Sequence, residues 1–236
     1  MQSKNLKILF LYPNLHMSTL VPNGISILSA VLKEAGFKNV ELFDTTFYQS
    51  PEETRAMKTD KSRYEAREKM GQVQPFNYED RGIKLKTTNM FNDFVDKVDA
   101  FKPHIIVGSV LEDTFPIFVK FMEQIKDKKI PCLAGGVFPS SVPERLLRED
   151  FVDYVCRGEG EDALVELCNA LEEGKDTSKI KNLWVKKKDG SIEKNIVRPY
   201  EQNLDLFPHP DWSIYPETAF YKPFKGYVYK YGDFEM

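Results

Sequence analysis

The sequence is poor in the residues that build metal sites and covalent catalytic sites. It contains only three histidines and three cysteines, and no two of the cysteines form a Cys-x-x-Cys pair. Cysteines used in this way are typical of buried, reduced thiols, so we expect a cytoplasmic protein without a cysteine-based metal site. His16 could face a ligand, but one histidine does not make a catalytic dyad, and we assign no catalytic residue.

Several common nucleotide and hydrolase motifs are also absent. The sequence has no Gly-x4-Gly-Lys-Ser/Thr loop, no Gly-x-Gly-x-x-Gly run after the first predicted strand and no Gly-x-Ser-x-Gly elbow. The Gly158-x-Gly160 pair alone is a weak match to a dinucleotide fingerprint. Acidic residues do not follow the first strand, which ends in Tyr12-Pro13, so a phosphorylated receiver domain is disfavoured.

The charge balance excludes another set of partners. The 33 basic and 36 acidic residues leave a formal net charge of −3, which gives no general attraction to nucleic acid or to an anionic membrane. No run of about 18 apolar residues is present, so no membrane span is predicted. The apolar run from Ile8 to Tyr12 is too short for a signal peptide. We therefore expect neither a nucleic-acid partner nor a membrane partner.

The first three quarters of the chain alternate short apolar runs with amphipathic ones. This pattern predicts parallel βαβ units in a sheet that is covered on both faces. We predict an α/β fold over residues 1–174, a doubly wound five-stranded parallel sheet that is flavodoxin-like or Rossmann-like, with strand order 2-1-3-4-5. The predicted strands are 6–12, 40–44, 104–110, 130–136 and 152–158, and the predicted helices are 23–37, 88–103, 114–129, 141–150 and 160–174.

Two segments break this alternation. Residues 46–87 are polar and charged, and we interpret them as an insertion that covers a site or contacts another domain. Residues 175–236 begin with a predicted β-hairpin around Asp189-Gly190 and continue as a linker rich in proline and aromatic residues. Because large aromatic side chains need a surface to bury them, this linker should dock on the main domain or lead into a further one.

Small residues follow the third and fourth predicted strands. Ser109 ends one strand and Gly135-Gly136 ends the next, and glycine lets a ligand approach the main chain because no Cβ intervenes. Ligands of open α/β sheets bind at the carboxyl ends of the strands. A large, flat ligand with a polar edge would fit against these small residues. The simpler alternative is that they only form tight turns.

These residues also carry a family resemblance. Ser109-Val110-Leu111 and Gly135-Gly136 resemble the Ser-x-Leu and Gly-Gly runs of cobalamin-binding domains. With RGEGE and LDLFPHPDW following in order, the chain from residue 6 to about 215 resembles the N-terminal cobalamin (B12)-binding domain of B12-dependent radical SAM proteins. Cobalamin-binding domains also carry an Asp-x-His-x-x-Gly run after the second strand. Here Asp44 matches its aspartate, but Thr46 stands where its cobalt-ligating histidine would be. The resemblance therefore implies cobalamin without a histidine ligand from this loop.

The resemblance also implies a site and a parent enzyme. The cobalamin tail would enter a cleft between the first, third and fourth strands, and no residue is assigned to a metal. Glu161 could belong to this edge or could be a first-turn acid that suits the dipole of the next helix. The implied cofactor-binding residues are Asn14, Leu15, His16, Asp44, Thr46, Ser109, Val110, Leu111, Gly135, Gly136, Val137, Phe138, Gly158 and Glu159.

The sequence holds no Cys-x3-Cys-x2-Cys motif. The resemblance implies that the [4Fe–4S] cluster and S-adenosylmethionine bind in a C-terminal radical SAM barrel that this chain lacks. We therefore expect this chain to be inactive alone, as the cobalamin-binding module of an enzyme with methyltransferase-like or related radical chemistry. Two alternatives remain open at this stage. One is a structural or docking domain that no longer binds cobalamin, and the other is a nucleotide-binding flavodoxin-like domain.

Overall fold

The computed structural model describes residues 4–14, 21–48, 65–72, 74, 77–224 and 227–230. A seven-stranded sheet with order β2-β1-β3-β4-β5-β6-β7 forms the centre of the fold, and β8 and β9 pair separately. The strands are β1 Lys4–Tyr12, β2 Phe37–Asp44, β3 Ile105–Ser109, β4 Cys132–Gly135, β5 Tyr154–Cys156, β6 Leu183–Lys186, β7 Ile192–Lys194, β8 Tyr221–Phe224 and β9 Tyr227–Lys230. The helices are α1 Asn23–Glu34, α2 Met90–Phe101, α3 Phe115–Ile125, α4 Val137–Ser141, α5 Pro143–Leu147 and α6 Glu161–Glu173.

The parallel part of the sheet has the predicted strand order. β1 pairs with β2 and with β3, β3 pairs with β4, and β4 pairs with β5, all in parallel. Phe10 in β1 lies beside Leu42 of β2 and Val107 of β3. The prediction of a doubly wound parallel α/β sheet is therefore confirmed.

Apolar side chains on both faces of the sheet explain why its strands read as continuous hydrophobic runs. On the α2/α3 face, Leu9 and Leu11 of β1 pack in one core with Phe94 and Phe121. On the opposite α1/α6 face, Phe10 packs with residues of α1 and α6. Burial of both faces requires apolar residues at successive strand positions, because successive side chains point to opposite sides.

The predicted hairpin around Asp189-Gly190 is present, and it joins the main sheet. β6 pairs antiparallel with β5, where Cys156 lies beside Leu183, and β7 pairs antiparallel with β6. Two further strands thus extend the sheet beyond the five predicted ones. The boundary proposed at residue 174 stays a prediction, although the hairpin that follows it continues the same sheet.

The chain after β7 is held against α1. The carboxylate of Asp211 accepts hydrogen bonds from the Ser29 hydroxyl and from the Lys33 ammonium, both at 2.5 Å. The Tyr215 hydroxyl donates to the Pro22 carbonyl at 2.7 Å, and the Tyr215 ring belongs to the α1/α6 core. Tyr215 therefore finds its surface on the main domain, whereas Tyr200 and Trp212 stay exposed.

The segment after β4 holds one helix more than predicted. The helix predicted over 141–150 corresponds to the shorter α5, Pro143–Leu147, and a separate helix that was not predicted, α4, precedes it with Val142 between them. The amide of Val142 still donates to the Phe138 carbonyl at 3.0 Å, but Pro143 has no amide hydrogen to continue the helix. Val137 and Phe138 consequently lie in a helix that follows β4, and not in a loop.

The predicted insertion is described only in part, because residues 49–64 lie outside the described ranges. In the described part, Tyr48 forms a parallel bridge with Lys86, and a 3-10 turn spans Tyr78–Arg81. The Arg81 guanidinium donates to the Val228 carbonyl at 2.8 Å, which ties this segment to β9. Among the helices described, none has the length and apolar character needed to cross a bilayer.

Candidate functional site

The carboxyl ends of β1 to β5 meet at one edge of the sheet, where ligands of open α/β sheets bind. The sequence-predicted residues that the structure describes fall into two groups along this edge. One group follows β1 and β2, and the other follows β3, β4 and β5. Leu15 and His16, which were predicted beside them, lie outside the described residues.

A closed hydrogen-bond network joins the ends of β1 and β2. The Asn14 side-chain amide donates to the Thr46 hydroxyl at 2.8 Å, and that hydroxyl donates to the Asp44 carboxylate at 2.6 Å. The Thr46 amide also donates to Asp44, at 2.8 Å. The Asn14 amide donates to the Thr45 hydroxyl, which in turn donates to the Asn14 carbonyl. These contacts fix the two strand ends relative to each other.

The network surrounds a carboxyl group in an apolar setting. Burial raises the pKa of Asp44 to about 6, although the hydrogen bonds from Thr46 and the positive charge of Lys86 act in the opposite direction. Burial also raises the pKa of Tyr12 and that of Tyr215, and in both cases the charge of Asp44 adds to the effect. Asp44 therefore exchanges its proton in a pH range where ordinary aspartates are already ionised.

Thr46 stands at the position where the resemblance would place a cobalt-ligating histidine. Its side chain is buried, with 1% of its surface exposed, and its hydroxyl both accepts from Asn14 and donates to Asp44. A fully engaged hydroxyl inside the protein holds neighbouring groups in place. Thr46 thus serves the strand-end network.

At the ends of β3 and β4, Ser109 lies beside Gly135 in the sheet. A Cβ placed on Gly135 would meet the Cys156 Cβ at 3.8 Å and the Gly108 carbonyl at 4.0 Å, which are ordinary contact distances. Strand alternation directs the Ser109 side chain to the same α1/α6 face. Its hydroxyl makes no hydrogen bond to any residue that the structure describes. This pair places a backbone position without a side chain next to a hydroxyl that bonds none of the described residues.

The other two glycines at this edge make room for the protein itself. A Cβ on Gly108 would lie 2.4 Å from Cε2 of the Phe118 ring, on the α2/α3 face. A Cβ on Gly136 would lie 2.8 Å from the Val110 carbonyl oxygen, and Gly136 has φ +118°, a backbone conformation that side chains disfavour. Internal packing therefore explains Gly108 and Gly136, whereas Gly135 would accept a Cβ at ordinary contact distances.

The neighbouring apolar residues differ in exposure. Val110 is fully buried in the α2/α3 core, so its side chain cannot reach a ligand at the edge. Phe138 packs on Phe115, with 5.3 Å between the ring centroids. Leu111 and Val137 are 47% and 72% exposed, so they are the two predicted apolar residues available to a bound molecule.

The residues after β5 contact the chain that follows the sheet. The Gly158 amide donates to the Ser140 hydroxyl at 3.2 Å. The Glu159 carbonyl accepts from the Asn182 side-chain amide at 2.6 Å, and the Glu159 carboxylate accepts from the Glu201 amide at 3.0 Å. Glu159 thus anchors the chain near residue 200, whereas Gly158 bonds Ser140 of α4.

Two residues of this edge were not assigned to the site from the sequence. Asn182 is buried and bonds both Glu159 and the Arg198 amide, and no sequence motif marked it. Glu161, the first residue of α6, has a buried carboxylate oxygen without a hydrogen-bond partner among the described residues. The sequence showed its place in the first turn of a helix, but only the folded chain shows that this oxygen is buried.

A cavity lies at the opposite, amino edge of the sheet. It has a volume of about 390 Å³, and its lining includes Ile130 before β4, Asp153 before β5 and Lys126. The Asp153 carboxylate accepts a hydrogen bond from the Cys132 amide at 2.9 Å. None of the predicted site residues lines this cavity, which separates it from the carboxyl edge.

Comparison with known proteins identifies the domain. The family model of the B12 binding domain matches residues 72–168. Uncharacterized methyltransferase PH0819 of Pyrococcus horikoshii is 30% identical over 131 residues, which cover 53% of this chain and 28% of that protein. The anaerobic magnesium-protoporphyrin IX monomethyl ester cyclase of Synechocystis is 26% identical over 121 residues, 49% of this chain and 24% of the relative.

Solved structures share the fold. The radical S-adenosylmethionine methyltransferase TsrM from Kitasatospora setae superposes with a TM-score of 0.57 at 19% identity, over 82% of this chain and 30% of that one. The cobalamin-dependent S-adenosylmethionine radical enzyme OxsB, with aqua-cobalamin and S-adenosylmethionine bound, gives a TM-score of 0.60 at 16% identity, over 89% and 24%. This chain spans 24% to 30% of the length of these four proteins.

Cobalamin is a flat corrin that carries a nucleotide tail, and the carboxyl edge fits such a group. Gly135 has no side chain at this edge, the Ser109 hydroxyl is free of the described residues, and Leu111 and Val137 expose apolar surface. The match over residues 72–168 runs from the segment before α2 into α6 and so includes all four residues. The doubly wound sheet of this chain therefore carries a B12-binding domain, matched over residues 72–168.

Proposed function

We propose that this chain binds cobalamin at the carboxyl edge of its sheet. The nucleotide tail enters on the α1/α6 face beside Ser109 and Gly135, and the corrin lies over Leu111 and Val137. The observation that carries this assignment is the Ser109–Gly135 pair inside the matched domain. It joins a hydroxyl that bonds none of the described residues to a backbone position without a side chain, where the nearest neighbours of a Cβ would lie at 3.8 and 4.0 Å. Ser109 would hydrogen-bond the tail, and Gly135 would leave room for it.

The buried network at the ends of β1 and β2 forms the neighbouring wall of this site. Asn14 and Asp44 are both engaged with Thr46, and they would hold this wall rigid. Position 46 offers no cobalt ligand in this arrangement. The lower axial position of the bound cobalt would then be empty or filled by water or by another side chain.

We further propose that this chain is the cobalamin-binding module of a radical SAM enzyme. TsrM and OxsB, which share its fold, are described as radical S-adenosylmethionine enzymes. In a longer protein, residues 1–174 would bind cobalamin, and residues 175–236 would lead towards a barrel that holds S-adenosylmethionine and a [4Fe–4S] cluster. The module would position a cofactor for methyl transfer or related radical chemistry that the partner domain performs.

Retention of cobalamin tests the proposal. Purified chain is mixed with hydroxocobalamin and desalted, and its visible spectrum is recorded. We expect the corrin bands to stay with the protein, and we expect Ser109→Tyr and Gly135→Trp to abolish this retention by filling the cleft. The control Lys188→Tyr introduces the same tyrosine side chain at an exposed position in the β6–β7 turn, at the other edge of the sheet, and should retain cobalamin like the wild type.

Each contrary result has a distinct meaning. Wild-type protein that retains no corrin would favour the alternative of a docking domain that has lost cobalamin. Equal retention by wild type, Ser109→Tyr and Gly135→Trp would place the ligand elsewhere. Circular dichroism of each variant must match that of the wild type, so that loss of binding reports a blocked cleft and not an unfolded chain.

A further inference from the structure

Glu161 carries a buried carboxylate oxygen that the ligand-free fold leaves without a partner. Its Oε2 is the one buried side-chain oxygen or nitrogen in the described part of the chain that has no hydrogen-bond partner. Buried polar atoms are nearly always hydrogen-bonded, since an unpaired one keeps the full penalty of losing its water. An exception inside a binding domain therefore calls for a partner that the chain does not supply.

A position in the first turn of α6 does not account for this burial. An acid near a helix N-terminus gains stability from the helix dipole even when it is fully solvated. Asp162, the next residue in the same turn, is exposed and already provides this charge. The burial of the Glu161 oxygen must therefore have another reason.

The surroundings of Glu161 place it on the same face as the proposed tail site. A Cβ on the preceding Gly160 would lie 3.7 Å from the Cys156 sulfur and 3.5 Å from Leu28 of α1. The Cβ of Cys156 in turn borders the Cβ position of Gly135, at 3.8 Å. Burial and then the negative charge of Glu161 raise the pKa of the Cys156 thiol to about 12. Glu161, Cys156 and Gly135 are thus successive neighbours.

We propose that the Glu161 carboxylate accepts a hydrogen bond from a hydroxyl group of the cobalamin nucleotide tail, and this inference rests on the proposed function. A carboxylate can only accept hydrogen bonds, so its partner must be a donor. The tail phosphate is itself an anion and would be repelled, whereas a ribose hydroxyl is a neutral donor. Ser109 and Gly135 then contact the tail from the ends of β3 and β4, and Glu161 contacts it from the start of α6, the helix after β5.

Binding of two corrinoids by matched variants tests this contact. Cobinamide lacks the nucleotide tail, so it reports contacts with the corrin alone. We expect Glu161→Ala to weaken cobalamin binding by about tenfold or more, as expected for a hydrogen bond to a charged acceptor, and to leave cobinamide binding unchanged. Glu161→Gln keeps an acceptor oxygen and should stay closer to wild type. Asp162→Ala removes an exposed acid of the same turn and should leave both affinities unchanged.

A melting curve without ligand supplies a second readout. If the carboxylate serves only the ligand, Glu161→Gln should melt at the same temperature as wild type or at a higher one, because the buried Oε2 bonds none of the described residues. A structural role would give the opposite result. A lower melting temperature would therefore overturn the inference by showing that the ligand-free protein already uses this group.

The outcomes separate this inference from the proposed function. Wild type that binds cobalamin while Glu161→Ala binds it equally well would overturn the role of Glu161 and leave the proposed function standing. Equal weakening of cobalamin and cobinamide would place the contact on the corrin instead of the tail. A wild-type chain that binds neither corrinoid would overturn both.

Discussion

At the end of β4, two neighbouring glycines meet different surroundings. A Cβ on Gly135 would find ordinary contacts, whereas a Cβ on Gly136 would lie 2.8 Å from a backbone oxygen of Val110. Backbone atoms cannot move aside as a flexible side chain can. The Gly-Gly run thus combines a residue that the fold requires with one where the fold tolerates a Cβ, and the sequence alone does not distinguish them.

The two glycines should therefore respond differently to alanine. We expect Gly136→Ala to lower the free energy of unfolding by about 2 kcal/mol or more, because of its positive φ and the clash with Val110. Gly135→Ala is the matched control and should change it by less than about 1 kcal/mol. Urea unfolding followed by circular dichroism measures both. Equal losses would contradict the assignment of separate roles.

Asp44 should give this protein an unusual pH dependence. Its pKa is raised from 3.8 to about 6 in the folded protein, so the folded state binds its proton more tightly than the unfolded state. The contribution of this group to stability is greatest below about pH 4 and is lost as the pH rises towards 6. The loss amounts to about 3 kcal/mol.

Comparison with Asp44→Asn isolates this effect. The variant keeps an oxygen to accept from Thr46 and cannot ionise. We expect the free energy of unfolding of wild type minus that of Asp44→Asn to fall between pH 4 and pH 6 and to be constant above about pH 7. Asp162→Asn, at an exposed acid, should show no such trend. A difference that rises with pH over this range would show that the folded protein favours the ionised carboxylate.

At the scale of elements, Asn182 connects three parts of the chain. It is buried at the start of β6 with φ +71°. Its side chain donates to the Glu159 carbonyl after β5 and accepts from the Arg198 amide beyond β7. The hairpin and the segment that follows are thereby attached to the edge of the sheet that carries the proposed site.

Substitutions at Asn182 separate its backbone role from its hydrogen bonds. We expect Asn182→Ala to lower the free energy of unfolding by about 3 kcal/mol, since it removes two buried bonds and leaves a left-handed backbone that alanine disfavours. Asn182→Gly removes the same bonds but relieves the backbone, so it should recover about 1 kcal/mol. Chemical denaturation gives both values. An equally stable Asn182→Ala would show that the junction is held by other contacts.

The elements themselves follow closely from the sequence. The apolar runs and amphipathic periods predicted each strand of the parallel sheet and each long helix between them, because their patterns depend on local burial. The attachment of the hairpin to β5 was not predicted, since antiparallel pairing at a sheet edge depends on backbone groups that every sequence has. The division between α4 and α5 at Pro143 was a local signal that could have been used.

For the whole molecule, binding of cobalamin should stabilise the fold by mass action. At a free concentration one hundred times Kd, a ligand that binds only the folded state adds about 2.7 kcal/mol. For a chain of this size that corresponds to a rise in melting temperature of about 5–10 °C. Differential scanning fluorimetry with and without hydroxocobalamin measures the shift. Ser109→Tyr should show none, and an equal shift in this variant would exclude the proposed cleft.

The sequence by itself predicted the strand order of the parallel sheet and the resemblance to cobalamin-binding domains, because burial patterns and short motifs can be recognised from neighbouring residues in the chain. Only the tertiary structure decided which small residues serve the fold. Phe118 fills the space beside Gly108, Val110 requires Gly136, and Gly135 would accept a Cβ. It also showed the buried, unpartnered oxygen of Glu161. Such properties depend on what lies opposite a residue in space, and neighbours of that kind come from distant parts of the chain.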